Sequence, residues 1–568
     1  MADSPSISEV AEKIDLPTAE SKGSGEVIGD STDQNSGDEA SQYMTGVRLY
    51  TIIGGLTMVA FLMMLDSTIV TTALPSITGT FNSVKDIGWY GSAYLICICT
   101  LQPLSGKFYQ FYSSKLIFLG AVAVFELGSL LCALAKSSTM FIIGRAVAGC
   151  GGAGVLNGAF TIIAAAAPLD RRPKLLGIMI GIASIGVLAG PIIGGALTEH
   201  VTWRWCFYLN LPIGGITIFA ISFIKVPDAK IRQEEGSKFS LKEKLHRLDL
   251  PGFSLFAPSI AMLLLALEWG GTKYSWNSST IIGLFCGAGG TFLLFLGCEY
   301  YRREEAMLPL SLFRNRVISC AVIATAMSQG GVYLIFYYLP TWFQVVKGQS
   351  PTSSGIYLLP SVGAMSISTA LAGALVSRIG YYTPFIIVGS AGAAVAAGLM
   401  TTLRPSSGAA AWVCYQLLNG AAQGFIRQQP ITAVQAVISK DQLAVAISLV
   451  TFCQMFGSSL FISFGQLAFA NSLKTSLGKY APEVDASKIL NAGATNFRSL
   501  VPESSIPGII LAYNHALTTT FYIAVGTACT TFVTSFGLKW INLKAKKKED
   551  EINREVKGTN TETKKDEV

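Results

Sequence analysis

Charge is what this sequence has least of. Asp, Glu, Lys and Arg make up 14% of its 568 residues, where a soluble domain carries roughly 25%. A soluble core of this length would still need a polar shell, so the missing charge belongs to a surface that faces lipid. Apolar residues reach 51%, and the mean hydropathy is +0.48. Histidine is scarcer still: there are three, and none of the eleven cysteines stands beside one at metal-ligand spacing. No zinc site is expected. The cysteines all fall within apolar segments, which argues against a disulfide scaffold and for free thiols buried in helices. There is no Gly-Lys-Ser/Thr phosphate loop and no nucleophile–histidine constellation, so an enzyme is not expected and no cofactor is called for. The formal charge is only +7 and no basic stripe interleaves with aromatics, which leaves nucleic-acid binding unsupported.

Residues 1–47 lack an apolar core and are rich in Ser, Gly, Asp and Glu. They cannot serve as a cleavable signal peptide and read as a disordered acidic cytoplasmic tail. Insertion then falls to the first apolar run.

Apolar runs of about twenty residues match the roughly 30 Å hydrocarbon core of a bilayer. The first six are expected near 49–72, 87–105, 116–136, 140–167, 174–197 and 206–224, followed by a basic stretch from Lys225 to Asp249. Two more are expected near 251–268 and 280–300, and six near 317–339, 354–376, 383–402, 410–438, 442–470 and 516–538. The polar segment 471–515 reads as a long outer loop. The expected architecture is all-helical, with about fourteen transmembrane helices: a six-helix bundle over 48–224, an inserted pair within 225–316, a second six-helix bundle over 317–540 and a charged cytoplasmic tail from 541.

Lys and Arg near span ends set orientation. One side collects Lys107, Lys115, Arg171, Arg172, Lys174, the cluster Lys225 to Arg247, Arg302, Arg303, Arg314, Arg316 and Lys544 to Lys548. The other side has few cations, among them Lys85, Arg204, Lys273 and Lys347. Both termini are therefore expected in the cytoplasm. An internal repeat supports two parallel halves: Gly91 to Leu95 recurs as Ser354 to Leu358, and Gly106 recurs at nearly the same offset as Gly373.

Several segments together resemble the major facilitator superfamily, and within it the fourteen-span drug:proton antiporters of fungi. The first span ends in Leu65-Asp66-Ser67-Thr68-Ile69-Val70 followed by Ala73-Leu74-Pro75, and the fourth holds Gly144-Arg145-Ala146 with Gly149. The fifth carries Gly177, Gly186, Gly190-Pro191 and Gly194-Gly195, the antiporter signature; Trp203 to Gly214 is a further hallmark. Phe125 to Ser129 and Ala266 to Gly271 point to the toxin-efflux branch. The resemblance implies export of small organic molecules by alternating access, driven by the proton gradient, through a chain that works alone in the cell membrane, with vacuole or vesicle membrane as alternatives. It departs from the family at the loop after the second span, where Gln110 and Phe111 replace the usual Asp-Arg pair. A charge latch between the halves is not expected there.

The glycines have mechanics of their own. Gly177 and Gly181, and again Gly186, Gly190 and Gly194, recur every fourth residue, which places small residues on one face and lets another helix approach closely. Pro191 removes a backbone hydrogen bond. A charge inside the bilayer costs roughly 2.5–3.5 kcal/mol on insertion scales, so Asp66, Glu126, Arg145 and Arg427 need explanations. Asp66 and Arg145 fall at the same depth and can pair, as a coupling site or as a structural ion pair. Glu126 is mid-span with no Lys or Arg near it in its own helix, which makes it the best candidate for the titrating group; bridging to a neighbouring helix is its other reading. Arg427 can attract an anionic group or a carboxylate. Gln102, Asn157, Gln329, Tyr333, Tyr337, Gln423 and Gln454 lie at depths suited to a substrate path between the halves, and aromatic walls with few polar groups suit bulky, moderately hydrophobic ligands. An amino-acid or iron-chelate carrier, and a nutrient sensor that moves nothing, are the competing functions.

Overall fold

The computed structural model describes residues 44, 46–81, 86–224, 226, 247–271, 273–439, 441–484, 501–549 and 552. The expected acidic tail and most of the basic stretch after Lys225 lie outside the described residues. Those described are helical apart from turns and one isolated bridge between Gly270 and Tyr274. The long helices are α1 (Gly46–Phe81), α2 (Ile87–Phe111), α3 (Ser114–Ala133), α4 (Ser138–Ala166), α5 (Arg172–His200) and α6 (Asn210–Ser222), the last preceded by the single turn Trp205–Tyr208. Then come α7 (Leu250–Trp269), α8 (Ser279–Arg302), α9 (Arg316–Val345), α10 (Leu359–Ile379), α11 (Thr383–Thr401), α12 (Ala409–Ile426), α13 (Gln429–Val437), α14 (Leu443–Tyr480) and α15 (Ile506–Ser535).

Among the described residues, twelve helical segments are long and apolar enough to cross a membrane. Apolar side chains such as Ile216, Phe219, Leu293, Ile367 and Val388 stand exposed on them, as lipid-facing surfaces require. α2 and α12 fall short of that apolarity because they carry Gln102 and Lys107, and Gln416, Asn419 and Gln423. All five side chains are buried, so the polarity of these two helices is turned inward.

Helix starts follow ordinary capping chemistry: Ser137, Ser278 and Asn315 accept hydrogen bonds from the first-turn amides of Met140, Ile281 and Val317. Small residues then set the packing distance. A Cβ at Gly128 of α3 would press on the Ala148 backbone of α4, at 2.5 Å from its Cα, and one at Gly149 of α4 would lie 2.5 Å from the Tyr94 carbonyl of α2. Only bare backbone fits there. Helices α1–α6 pack among themselves, as do α9–α15. The pair α7–α8 rests on α2, with α8 the least buried of the twelve segments.

The two sets meet chiefly through two pairs of helices, α5 with α10 and α2 with α14, with α4 also against α14. A Cβ at Gly106 of α2 would lie 2.8 Å from the Ser448 Cβ of α14, while Gly373 of α10 abuts the Pro173 carbonyl at the start of α5. The two glycines repeated in the sequence thus make equivalent contacts, each against the other half. The cation-rich loops gather at this end. Lys115 Nζ donates to the Ser222 carbonyl (2.6 Å), Arg316 to that of Phe536 (3.1 Å) and the Lys174 amide to Ser377 Oγ (3.2 Å). At the opposite end, Lys347 donates to the carbonyls of Pro405 and Ser407 (2.7 and 2.6 Å), and its partial desolvation lowers its pKa.

Three expectations need correction. The outer loop 471–515 is shorter: α14 runs on to Tyr480 and α15 begins at Ile506. Leu473 and Leu477, one turn apart, pack against Ile509 and Tyr513, so helix–helix burial outweighs the local polarity that reads as loop. The expected span 410–438 is divided at Arg427–Gln428 because Pro430 has no N–H to continue the ladder. Finally, the cysteines are all free as expected, but Cys286, Cys414 and Cys529 are exposed.

Candidate functional site

Two buried features stand out within the helices. In the first, Asp66 of α1 meets Arg145 of α4 at 2.6 Å, with both side chains almost fully buried. Arg145 Nε also donates to the Tyr90 carbonyl at 3.1 Å, and its guanidinium lies 4.3 Å from the centre of the Tyr94 ring. Asn210 donates to Asp66 Oδ1 at 3.3 Å and to Ser129 Oγ at 3.0 Å. One charge pair therefore ties α1, α2, α3, α4 and the start of α6 together. Sequence reasoning named Asp66 and Arg145 but missed Asn210, although an asparagine inside the Trp203 to Gly214 run was a visible signal.

Glu126 stands one helical turn before Ser129, on α3. Its carboxyl group lies on the bare backbone of Gly214 in α6, where a Cβ would collide with it. The side chain is 8% exposed, and neither oxygen has a hydrogen-bond partner. Glu126 is thus a buried carboxyl inside the first half, not on the contact between halves.

The second feature is a small cavity between the halves. Met64 of α1, Phe160 of α4, Met179 of α5 and Ile431 of α13 give it apolar walls; Ser184, Gln454 and Arg427 are its polar lining. Arg427 sits at the joint between α12 and α13. Its guanidinium makes one hydrogen bond, from Nη1 to the Met365 Sδ at 3.6 Å, and its buried Nε has no partner.

The other path candidates are dispersed. Gln102 Nε2 donates across the halves to Thr451 Oγ1 at 2.8 Å. Asn157 donates to Ser105 (3.0 Å), and Gln423 accepts from Ser328 (2.9 Å), each within its own half. Gln329 is buried with a partnerless Oε1, Tyr333 is half-buried and Tyr337 is 59% exposed. Of the eight residues named from the sequence, the structure brings Arg427 and Gln454 to the cavity.

The signature helix divides its glycines between two neighbours. A Cβ at Gly177 would lie 2.7 Å from the Thr369 carbonyl oxygen, and one at Gly181 2.8 Å from that of Ser366, both on α10 of the other half. Gly186 and Gly194 meet α1 of their own half instead, at 2.6 Å from the Phe61 and 2.7 Å from the Ile69 carbonyl oxygen, and Gly190 meets Thr68 there. Gly195 has open space beside it, and Pro191 lies inside the unbroken helix. At the cation-rich end the halves meet through this packing, the hydrogen bond from the Lys174 amide to Ser377 and an ion pair of Lys547 with Asp170 at 3.8 Å.

Comparison with known proteins gives the geometry its setting. The chain is 45% identical over 506 residues to the MFS-type transporter pigP of Monascus ruber, covering 89% of this chain and 88% of that one. It is 44% identical over 516 residues to the efflux pump mlcE of Penicillium citrinum, covering 90% and 93%. In fold it is similar to the proton:xylose symporter XylE, with a TM-score of 0.56 at 15% identity over 87% of this chain and 98% of that one. The Major Facilitator Superfamily pattern matches residues 56–462. An all-helical chain with these spans, this pairing of halves and these relatives is a membrane transporter rather than an enzyme, and it belongs to the major facilitator superfamily.

Proposed function

We propose that this protein exports small, moderately hydrophobic organic molecules in exchange for protons, by alternating access of a cavity between two six-helix bundles. The packing of α5 carries the reading. A single rigid helix that leans on α10 through Gly177 and Gly181 and on α1 through Gly186, Gly190 and Gly194 couples the contact between halves to the packing within one half. The relatives named as efflux pumps support the outward direction. We count fourteen passes by adding α2 and α12 to the twelve apolar segments, which puts both termini on the cation-rich, cytoplasmic side of the cell membrane.

Glu126 is the proposed proton carrier. An ionised carboxylate without a partner is costly in an apolar interior and the neutral acid much less so, whereas Asp66 has its countercharge permanently at hand. A monomer and a proton gradient suffice, with no cofactor. The test uses proteoliposomes with an acidic lumen and two fluorescent amphiphiles added outside, 1-pyrenebutyrate and 1-pyrenebutyramide. Protein-dependent accumulation of either probe with alkalinisation of the lumen, abolished by a protonophore, is the expected result. Accumulation of neither, or accumulation that ignores the gradient, contradicts the reading.

A further inference from the structure

Among the described residues, Arg427 has no counterion. It lines the cavity between the halves, and its one hydrogen bond goes to a thioether sulfur, a weak acceptor. Its Nε is sealed from solvent and donates to nothing. Among the described residues no carboxylate lies within 4.0 Å of it, in contrast to Arg145, which has Asp66 at 2.6 Å. Arg427 is half-buried, and an unpaired guanidinium against apolar walls is expensive unless something else neutralises it.

The rest of the cavity limits what that something is. Its walls are Met64, Phe160, Met179 and Ile431, with Ser184 and Gln454 as the neutral polar groups. Ser184 already donates to the Ile180 carbonyl at 2.8 Å. One positive charge among apolar side chains balances one negative charge. A phosphate dianion would leave a second charge unpaired against those walls, and a cation would be repelled. A planar carboxylate, by contrast, matches the fork of a guanidinium, and Met64, Phe160, Met179 and Ile431 offer apolar contact to the rest of such a molecule as the halves part. The position of Arg427 at the joint between α12 and α13 fits a substrate site built where a spanning helix is interrupted.

We propose that Arg427 recognises a single carboxylate on the transported molecule, and that the substrates are amphiphilic organic acids carried as monoanions. This rests on the export reading only for the direction of movement; the binding site stands or falls separately. The test uses the full-length protein in lipid nanodiscs, with 1-pyrenebutyrate and its neutral amide as probes and fluorescence anisotropy as the readout. The acid should bind tighter than the amide by about tenfold or more, the scale of a charge-assisted pair. Arg427→Gln should abolish that ratio, and Arg427→Lys should keep part of it.

Equal affinities for acid and amide in the wild type, no binding of the acid, or an acid preference that survives in Arg427→Gln would overturn the assignment. If Arg427→Gln does not fold, the wild-type ratio and the Lys variant decide alone. Selective acid binding in a protein that moves neither probe in vesicles would leave the anion site standing and sink the export reading. Transport of the amide by a protein with no acid preference would do the reverse.

Discussion

Gly177 of α5 and Thr369 of α10 meet across the two halves so closely that a Cβ on the glycine would lie 2.7 Å from the threonine carbonyl oxygen. Real Cβ atoms do not approach oxygen to that distance, so the contact exists only with glycine on the α5 side. If this packing is what closes the cation-rich end, Gly177→Val should weaken the closed state by about 1–3 kcal/mol, the usual cost of overpacking. A cysteine pair replacing Lys174 and Ser377, whose backbone amide and hydroxyl lie 3.2 Å apart, reports that state in a background without native cysteines. Its cross-linking yield should fall in the Gly177→Val protein, by about fivefold for each kcal/mol lost. An unchanged yield would remove α5–α10 packing from the closing mechanism.

Gly190→Leu probes the other end of the same helix. Here the neighbour is α1, with a Cβ at 2.9 Å from the Ile69 amide nitrogen and against the Thr68 hydroxyl. Transport should be lost at normal membrane levels, because α1 and α5 can no longer move as a packed unit. The cross-link between positions 174 and 377 should persist, since Gly190 packs within one half. Normal efflux in this variant would reduce the glycine repeat to ordinary small-residue packing.

Breaking the Asp66–Arg145 pair should cost more than the pair itself contributes. Asp66→Asn leaves a buried guanidinium without its countercharge, a loss of about 3–5 kcal/mol, while Asn210→Ala removes one hydrogen bond to the pair and should cost about 1 kcal/mol. Thermal unfolding in detergent should rank the variants in that order. Asp66→Asn combined with Arg145→Gln should recover part of the loss, because no unpaired charge remains. A double variant no more stable than Asp66→Asn alone would show that the pair is not the source of the effect.

Much of the fold was legible because apolar runs of bilayer length report helices directly. The runs near 251–268 and 280–300 correspond to α7 and α8 within two residues at each end. Legibility fails where tertiary packing overrides local polarity. Leu473 and Leu477 are spaced for a helix but lie among polar residues, and it is their burial against Ile509 and Tyr513 that extends α14. The break at Arg427 was written in Pro430, the second residue of the following helix, within a stretch that otherwise reads as one span. Of the site, the Asp66–Arg145 pair could be inferred from matching depth alone. That Glu126 rests on Gly214, and that Arg427 has no countercharge, depend on which faces of distant helices meet, and neither spacing nor composition carries that information.

Proton coupling through Glu126 is the central claim, and one comparison tests it most directly. Wild-type protein and Glu126→Gln are placed in proteoliposomes and assayed twice with the same probe, first for exchange at equal concentrations and then for accumulation driven by an acidic lumen. Glutamine keeps the shape of the side chain against Gly214 but cannot cycle a proton. The account predicts that exchange survives in Glu126→Gln, while gradient-driven accumulation and its dependence on lumenal pH disappear. Accumulation in Glu126→Gln equal to that of the wild type, with the same pH dependence, would contradict it; loss in Asp66→Asn alone would then move the proton to the Asp66–Arg145 pair.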